Sequence, residues 1–522
     1  MRHPEALVGD PDHVATVVDA LTSADLAPIV DLVITADRDG YEARAVDGSV
    51  RFRRRDEGHG WAFDVVATDG RNPLGDQSTD RFVGREAEQA GRWPDRSANA
   101  YPHAYEMVAQ VFDHPAAPDA IVLHTPAHNW EDQGGHRGEH GSMGVVQARA
   151  PFLIGGAGVK RHGLVDRSCK LVDVAPTVLA LMGAAPHPTG RGLNGAARPD
   201  ALLARQDGEV LDDLLDPTER PDHVVGFLLD GCNPNVLHDA IDAGEAPNLA
   251  RILEMGTSFR HGAFASAPTV TLANHTGILT GAHPGHHGIL NNAWYDRAAG
   301  RQVITNSPET WITSMASLSP DVETIFHAVA RTWPDAVTLA ANEPCDTGAT
   351  VGTFGLIRGG TMPDRPPATA DLPFATERFV RPEKQYRSAS KIDHVGLELA
   401  LGVWGDGYQG TSYPLPRFSW VNFSLTDAAF HLGGPWSDVA RASIHDTDAR
   451  IGQVLDAVER AGAFDRTAFF AVADHGMEES NPEVTGDWGE ALAATGVPHR
   501  DEAYMWIYTD VEAGGRTKLF DL

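Results

Sequence analysis

Apolar runs of strand length recur along this chain, and several of them end in acidic or histidine residues. Residues His223–Leu229 read HVVGFLL and lead into Asp230, and residues 467–473 read TAFFAVA and lead into Asp474. Helical patterns lie between such runs, as in residues 439–461. Continuous apolar strands that alternate with helices are typical of a sheet that is buried on both faces. The sequence therefore predicts an α/β fold with a mainly parallel central sheet and helices on both faces. Similar runs occur at residues 120–123, 151–154 and 417–423.

The ends of three runs predict where a ligand would bind. Sheets of this kind bind ligands beyond the carboxyl ends of their strands. Asp230 and Asp474 come directly after two runs, and Asp427 follows the run at 417–423 by four residues. We therefore expect three carboxylates near one edge of the sheet.

The composition limits the classes of function. Of 522 residues, 42% are hydrophobic and 22% are charged, which is ordinary for a globular protein and excludes disorder over the whole chain. The formal net charge is −30, which disfavours binding to nucleic acid duplexes and to anionic membranes. An acidic protein that acts on phosphates needs local positive charge, and bound metal ions would supply it.

The cysteines and the N-terminus bear on location. Cys169, Cys232 and Cys345 form no CxxC pair, which argues against a disulfide framework and a thiolate zinc site. The first residues, MRHPEALVGDPDH, contain no apolar signal region, and no run approaches the ~18 apolar residues of a membrane span. We therefore expect a cytoplasmic protein without membrane contact. The sequence leaves the oligomeric state open.

Three segments depart from the strand–helix alternation. Residues 30–75 contain short alternating runs that predict a small antiparallel unit. Residues 201–221 are polar and predict a linker, with at most one short helix. Residues 306–416 contain irregular segments rich in proline and glycine and predict a cap region inserted over the sheet.

Aspartate and histidine residues supply a candidate ligand set for metals. Asp427 and His431 are four residues apart and share one face of a helical turn, although a solvated surface pair is the common reading of such spacing. Asp474 and His475 are adjacent at a strand end, where Gly476 permits a turn. With Asp230 they form a set of the nitrogen and oxygen ligands that zinc accepts. The set is too large for one ion, and two ions ~3.5–4 Å apart would clamp both oxygens of a phosphoryl displacement.

A hydroxyl nucleophile is predicted in the string APTVTLANHTGILTG. Thr269 and Thr271 precede an apolar, helix-like run, where a threonine is most often a helix N-cap. In the functional reading, the helix N-terminus and a metal lower the pKa of the hydroxyl and favour a bound anion. Asn274 is three residues further on and could donate a hydrogen bond to a phosphate oxygen.

Four strings together resemble one known family. LLDG, PTVTLANHTGILTGAHPGHHGILNN, TDAAFH and VADHGM occur here in the order found in the nucleotide pyrophosphatase/phosphodiesterase branch of the alkaline phosphatase superfamily. The resemblance covers residues 222–477 and implies an alkaline-phosphatase-like fold. Ala273 stands where the family often has proline, which is a minor departure.

The resemblance implies a role for each candidate residue. It implies Thr271 as the nucleophile, and Asn274 as the asparagine that contacts phosphate. It also implies two divalent metals, with zinc favoured over manganese or iron. The ligands it implies for the first metal are Asp230, Thr271, Asp474 and His475, and those for the second are Asp427, His431 and one further histidine.

The position of the further histidine implies a rearranged chain. In the family this histidine follows the DHGM string, but here the only histidine after Met477 is His499. The strings RGEHGSMGVVQARAPFLIGGAGV and LVDVAPTVLALMG instead resemble the closing segment of the superfamily, which assigns the ligand to His140. Residues 1–200 would then be the permuted closing part of one catalytic domain, and residues 222–522 its main part. The alternatives are a separate N-terminal domain with a chance HGS string, or a ligand at the nearby His128 or His136.

The resemblance implies hydrolysis of a small-molecule phosphoester through a phospho-threonine intermediate. A phosphomonoesterase or a phosphonate hydrolase of the same superfamily is the alternative, and Arg358 and Arg387 are the candidates for clamping a dianionic monoester. A sulfatase is disfavoured, because the string CNPNV at Cys232 has Val236 where the arginine of CxPxR should stand. A binding protein that retains the fold without catalysis is the alternative from another class.

Overall fold

The computed structural model describes residues 2–58, 60–130, 135–366, 383–503 and 505–514. The strands in these ranges are β1 (Val30–Ala36), β2 (Tyr41–Ala45), β3 (Gly48–Glu57), β4 (Gly60–Gly70), β5 (Ala120–His124), β6 (Gly138–Glu139), β7 (Arg149–Ala150), β8 (Phe152–Gly156), β9 (Gly163–Val165), β10 (Cys169–Lys170), β11 (His223–Leu229), β12 (Gly256–Phe259), β13 (Ala263–Phe264), β14 (Ala293–Asp296), β15 (Arg301–Ile304), β16 (Thr338–Ala341), β17 (Val351–Gly352), β18 (Phe418–Phe423), β19 (Thr467–Val472), β20 (Glu478–Glu479), β21 (His499–Glu502) and β22 (Trp506–Thr509).

The α-helices in the same ranges follow the strands in most of the chain. They are α1 (Pro11–Leu21), α2 (Arg85–Ala90), α3 (Ala104–Val111), α4 (Val145–Ala148), α5 (Val174–Met182), α6 (Pro234–Asp242), α7 (Pro247–Glu254), α8 (Thr271–Thr280), α9 (Pro284–His287), α10 (Ile325–Thr332), α11 (Thr353–Arg358), α12 (Lys384–Trp404), α13 (Leu425–Gly433), α14 (Asp438–Arg460) and α15 (Gly489–Ala494). None of these helices is long and apolar enough to cross a bilayer.

The main sheet has the strand order β17-β16-β18-β11-β19-β8-β12-β9. Its central strands β18, β11 and β19 are parallel, and every residue of each is buried. Helix α12 packs on β16 and β18, α5 packs on β11, and α7 packs on β8 and β19. The predicted α/β fold with a mainly parallel sheet is confirmed.

Strand β8 brings the N-terminal part of the chain into this sheet. It runs antiparallel to both of its neighbours, β19 and β12. Its Gly155 is packed so closely that a Cβ there would lie 2.3 Å from the carbonyl oxygen of Ile252, which explains why this position is glycine. Residues before position 200 and after position 222 therefore share one sheet and one core.

A second sheet joins the two ends of the chain. Its order is β21-β22-β5-β1-β2-β3-β4, and all of its pairs are antiparallel. The segment predicted to be a small antiparallel unit forms β1 to β4, and β5, β21 and β22 extend the same sheet. Asp119 supports the junction, because its carboxylate accepts hydrogen bonds from the backbone N–H groups of Gly9 and Thr509 and pairs with Arg2 and Arg297.

Two predicted segments differ from the structure. Residues 201–221 contain one short 3-10 helix, Asp212–Leu214, as expected, but Leu203, Leu211 and Leu214 are buried in the main core, so the segment is a packed connection and not a free linker. The predicted insertion at 306–416 also builds part of the sheet, because it contains β16, β17 and α12. The sequence TLAA of β16 was too short to signal a strand. Residues 367–382 of this region, and the chain end at 515–522, lie outside the described residues.

Candidate metal centre

The candidate ligands meet at the carboxyl ends of three adjacent strands. Asp230 directly follows β11, and Asp474 and His475 follow β19 after one alanine. Helix α13 begins two residues after β18 and carries Asp427 in its first turn and His431 in its last turn. The strand order β18-β11-β19 therefore brings these side chains to one edge of the sheet.

A first group of side chains lies between β11 and β19. His475 Nε2 is 3.2 Å from Asp474 Oδ2 and 3.8 Å from Asp230 Oδ1. Asp474 Oδ1 accepts a hydrogen bond from the backbone N–H of Gly231 at 3.0 Å. Gly231 has a φ of 63°, and a Cβ there would lie 2.6 Å from Asp427 Oδ1, so only glycine fits this turn.

A second group centres on Asp427. Its Oδ1 lies 3.4 Å from His431 Nε2 and 3.9 Å from His140 Nε2. The ligand atoms of these three residues all lie within 4.8 Å of one another, and so do those of Asp230, Asp427 and His475. The two groups are therefore contiguous, with Asp427 between them.

The histidines of both groups are held in one orientation. In each, Nδ1 faces a backbone carbonyl, so the ring donates its Nδ1 proton there and leaves Nε2 as a lone-pair donor for a cation. The carbonyl partners are Thr269 for His140 at 2.8 Å, Gly138 for His431 at 2.7 Å and Gly476 for His475 at 2.9 Å.

The cluster fits divalent cations by the chemistry of its buried atoms. Burial, helped by the negative charge of Asp474, raises the pKa of Asp230 well above its ordinary value. Polar atoms that face the centre make no hydrogen bond within the described ranges, a costly arrangement unless a cation pairs with them. These atoms are Asp230 Oδ1, Asp427 Oδ1, Asp474 Oδ2 and His475 Nε2.

A buried carboxylate anchors the helix that carries Asp427 and His431. Asp393 of α12 accepts hydrogen bonds from the backbone N–H groups of Ser424 at 2.7 Å and Leu425 at 3.3 Å, at the N-terminus of α13. A carboxylate at this position satisfies N–H groups that have no partner within the helix. Helix α12 therefore fixes where α13 presents its two candidate ligands.

Thr271 begins helix α8 and lines the same cavity as Asp230, Asp427, His431 and His140. Its hydroxyl makes no hydrogen bond to any residue in the described part of the chain, and it is half-buried. Thr269 differs, because its hydroxyl donates to the Ser142 carbonyl at 2.8 Å and accepts from the Gly141 N–H at 2.9 Å. The structure leaves the hydroxyl of Thr271 available for chemistry and uses that of Thr269 to hold the His140 loop.

The structure does not bring Asn274, the predicted phosphate contact, into the cavity wall. Its Oδ1 accepts a hydrogen bond from the Ser266 N–H at 2.8 Å, and its amide donates to the carbonyls of Pro268 and Val270 at 3.0 and 3.1 Å. The side chain is 1% exposed, and its hydrogen bonds hold the loop before Thr271.

Sequence reasoning missed Asn292, which lines the cavity beside Thr271. Its Oδ1 faces the backbone N–H of Leu272 at 3.4 Å, which leaves its amide group for a ligand. The sequence signal was the Asn-Asn pair at the end of the string GILNN, which comes after helices α8 and α9.

The other candidate residues lie in different places. His499 is on β21, away from the cavity, with its Nδ1 on the Val497 carbonyl at 2.9 Å. His128 Nε2 contacts the Gly486 carbonyl at 2.8 Å, whereas His136 lines the cavity, with its ring 4.4 Å from that of His431.

Neither candidate arginine lines the cavity. Arg358 forms a two-pronged ion pair with Asp346 at 2.6 and 2.7 Å. Arg387 is on α12, outside the cavity wall. Cys232 is fully buried, and burial raises the pKa of its thiol well above its ordinary value, so it is no nucleophile.

The cavity has a volume of about 150 Å³ and a mixed wall. Trp130, Trp311, Phe354, Ile392 and Met505 supply apolar surface, and asparagines and Gln385 supply neutral polar groups. No lysine or arginine from the described ranges lines it. The cavity can therefore hold an organic group beside the cluster, but it offers no fixed cation for extra negative charge.

Comparisons with known proteins bear on this site. Residues 224–518, more than half of the chain, match the sequence model described as type I phosphodiesterase / nucleotide pyrophosphatase. The chain is 33% identical over 119 residues to alkaline phosphatase PafA of Elizabethkingia meningoseptica, covering 23% of this chain and 21% of that protein. It is 25% identical over 260 residues to ectonucleotide pyrophosphatase/phosphodiesterase family member 1 of Rattus norvegicus, covering 49% of this chain and 24% of that protein.

The chain thus spans about a quarter or less of the length of these relatives. Among solved structures, wild-type alkaline phosphatase PafA aligns with a TM-score of 0.34 and 18% identity, covering 49% of this chain and 63% of that chain.

Proposed function

This chain belongs to the type I phosphodiesterase / nucleotide pyrophosphatase family, and on that premise we propose that it hydrolyses phosphodiesters with Thr271 as the nucleophile. The observation that carries the proposal is the hydroxyl of Thr271, which lines one cavity with both groups of candidate metal ligands. The names of its relatives, an alkaline phosphatase and a nucleotide pyrophosphatase/phosphodiesterase, support the same class of reaction.

We further propose two divalent metals, with zinc as the first choice for a site of nitrogen and oxygen ligands. Asp230, Asp474, His475 and Thr271 would hold one ion. Asp427, His431 and His140 would hold the other. When bound, the two ions would lower the pKa of the nucleophile and neutralise charge on the reacting phosphoryl group.

The residues of the chain supply the rest of the reaction. The hydroxyl of Thr271 loses its proton to solvent, and its Oγ1 attacks phosphorus while the bond from phosphorus to the leaving oxygen breaks. Thr271 is the first residue of α8. The first N–H groups of a helix have no partner within it, so this end of α8 favours negative charge on the phosphoryl group. The Asn292 amide would donate to a phosphoryl oxygen. The leaving oxygen takes up a proton from solvent, and phosphorus keeps its second substituent in the ester formed with Thr271. Water then attacks phosphorus, the bond from phosphorus to Oγ1 breaks, Oγ1 regains a proton, and a phosphomonoester is released.

The cavity wall favours a diester over a monoester. A monoester carries two negative charges near neutral pH and a diester one, and the described part of the wall offers no lysine or arginine for the second charge. The aromatic and aliphatic side chains on the wall would contact the second substituent of a diester. A phosphomonoesterase and a phosphonate hydrolase are therefore the weaker readings.

We also propose that the chain is a circular permutation of the family's usual order. Two observations support this: β8 inserts into the main sheet beside β19, and His140 lies 3.9 Å from Asp427. Both come from the part of the chain that precedes the family match. Expectations of a cytoplasmic location and of no nucleic acid duplex as partner stay predictions.

The test compares two threonines on two substrates. Thr271→Ala should lower turnover of bis(4-nitrophenyl) phosphate by roughly 10³-fold or more, since the step at the nucleophile is lost. Thr280→Val is the matched control: its hydroxyl donates to the Thr276 carbonyl at 2.7 Å within the same helix, outside the cavity wall, so this variant should retain turnover once folded. Wild-type protein should have a higher kcat/KM on this diester than on 4-nitrophenyl phosphate. Full activity in Thr271→Ala would overturn the assignment of Thr271 as the nucleophile. No turnover in metal-loaded wild type would favour a binding protein that retains the fold without catalysis.

A further inference from the structure

A buried histidine and glutamate lie behind the candidate metal ligands and have no part in the reaction above. His275 is 1% exposed and Glu343 is 0% exposed. His275 Nδ1 lies 3.0 Å from Glu343 Oε2. On the other side of the ring, Nε2 lies 3.5 Å from Asp230 Oδ2 and 3.5 Å from Asp474 Oδ2. One imidazole thus connects a buried carboxylate to two candidate ligands.

Glu343 is fixed at both of its oxygens. The indole N–H of Trp420, on β18, donates to Oε2 at 2.9 Å. The backbone N–H of Cys345 donates to Oε1 at 2.8 Å. Within the described ranges His275 is the ion-pair partner of this buried carboxylate, and a buried charge is costly without one. The glutamate therefore cannot swing away without losing three contacts, and it holds the imidazole in place.

The location of His275 ties this pair to the nucleophile. His275 is on α8, four residues after Thr271, which is about one helical turn. Contact of its ring with Asp230 and Asp474 fixes the first turn of α8 against the ends of β11 and β19. The ring of His275 also contacts Oδ2 of Asp230. The other oxygen, Oδ1, has no hydrogen bond in the described ranges and lies on the side of His475.

We propose that His275, held by Glu343, is a positioning residue for this site. It orients the carboxylates of Asp230 and Asp474 toward a cation and sets the distance from that cation to Thr271. The catalytic part of this inference rests on the proposed function, whereas the metal-binding part does not. Partners that orient metal ligands in this way commonly change metal affinity by about 10- to 100-fold when they are removed.

The experiment uses the full chain with His275→Gln, Glu343→Gln, the double variant, and Thr276→Val as the matched control. Thr276 is the next buried residue on α8, and its hydroxyl donates to the Leu272 carbonyl at 2.7 Å within the helix. Its replacement removes a buried hydrogen bond of the same helix without touching Glu343 or the carboxylates. Thermal unfolding selects variants that remain folded.

The first readout is zinc binding to metal-free protein. We expect affinity about 10- to 100-fold weaker in His275→Gln and in Glu343→Gln, and unchanged in Thr276→Val. The second readout is turnover of bis(4-nitrophenyl) phosphate at saturating zinc. We expect kcat to fall roughly 10- to 100-fold with little change in KM, because a misplaced nucleophile slows the chemical step more than binding. The double variant should lose no more than the worse single one, because the two residues act as a unit.

Three results would overturn the proposal. One is zinc affinity and kcat that stay at the wild-type level in both folded single variants. Another is a loss of zinc affinity or kcat that multiplies in the double variant, or a loss of the same size in Thr276→Val. The third is loss of a whole zinc equivalent at saturation in His275→Gln alone, which would make His275 a ligand. If wild type hydrolyses no phosphoester, the proposed function fails, and the zinc affinities still decide this inference.

Discussion

The imidazole rings of His140 and His475 stack with their centroids 3.8 Å apart and their planes 15° apart. One ring comes from the loop after β6 and the other from the end of β19. Burial, together with the nearby His475 and His431, lowers the pKa of His140 well below its ordinary value. The ring is therefore neutral at physiological pH, with the lone pair that a cation would need.

This stack leads to a prediction about the second metal. His140→Ala should lower the metal content of purified, dialysed protein, because this ion would lose one of its three candidate ligands, which are Asp427, His431 and His140. His499→Ala is the control, since His499 is on β21 and its Nδ1 contacts the Val497 carbonyl. Elemental analysis of both variants measures the difference. A silent His140→Ala beside a metal-poor His499→Ala would refute the permuted assignment.

The two asparagines near Thr271 should separate into different phenotypes. Asn292→Ala should lower kcat/KM on a diester by about 10- to 1000-fold with little effect on the melting temperature, because it removes one donor to the phosphoryl group. Asn274→Ala should lower the melting temperature, because the hydrogen bonds of this side chain to the loop at residues 266–270 are lost. Thermal unfolding and steady-state kinetics on both variants provide the measurement. Equal melting temperatures in the two variants would contradict the assignment.

The sequence predicts the elements of this fold that are long and buried on both faces, and it does not predict the short ones. Strand β11 has the predicted bounds, because a strand buried on both faces is a continuous apolar run. Strand β16 is only four residues long and was missed, and the 21-residue helix α12 beside it was assigned to a cap. The antiparallel direction of β8 has no local signal, since direction depends on which strands flank it.

The candidate site shows the same division. Asp230, Asp474 and His475 could be found from sequence, because they lie just beyond the ends of buried strands. The choice between Asn274 and Asn292 depends on the path of the loop before α8, which no local pattern encodes. The pair of His275 and Glu343 depends on how α8 packs against the end of β16, and its partners are far apart in sequence.

A buried aspartate outside the cavity should make stability depend on pH. Burial raises the pKa of Asp31 from 3.8 to about 6, against the opposing effects of the Tyr101 hydroxyl and Arg96. The folded state therefore binds this proton more tightly than the unfolded state. The stabilisation is fully present below pH ~4 and is lost as the pH rises through about 6, and it amounts to roughly 3 kcal/mol.

Asp31→Asn tests this dependence, because asparagine can still accept from Tyr101 but does not ionise. Urea unfolding at several pH values should show the variant gaining stability relative to wild type between pH 4 and pH 7. Asp222→Asn is the control, since Asp222 is in an exposed ion pair with Arg466 that should contribute less than about 1 kcal/mol. A constant difference between Asp31→Asn and wild type across this range would disprove the shift.

The lack of lysine and arginine in the described cavity wall leads to a prediction about substrate choice. Gln385 lines the cavity from α12, and Gln385→Arg would place a guanidinium there, which can bind two phosphate oxygens at once. We expect the ratio of kcat/KM on 4-nitrophenyl phosphate to that on bis(4-nitrophenyl) phosphate to rise, because the second charge of the monoester gains a partner. Gln385→Met keeps the size of the side chain without charge and should leave the ratio unchanged. If the ratio stays the same in both variants at matched metal content, the missing cation is not what sets the preference, and the shape of the aromatic wall around Trp311 and Phe354 becomes the explanation to test.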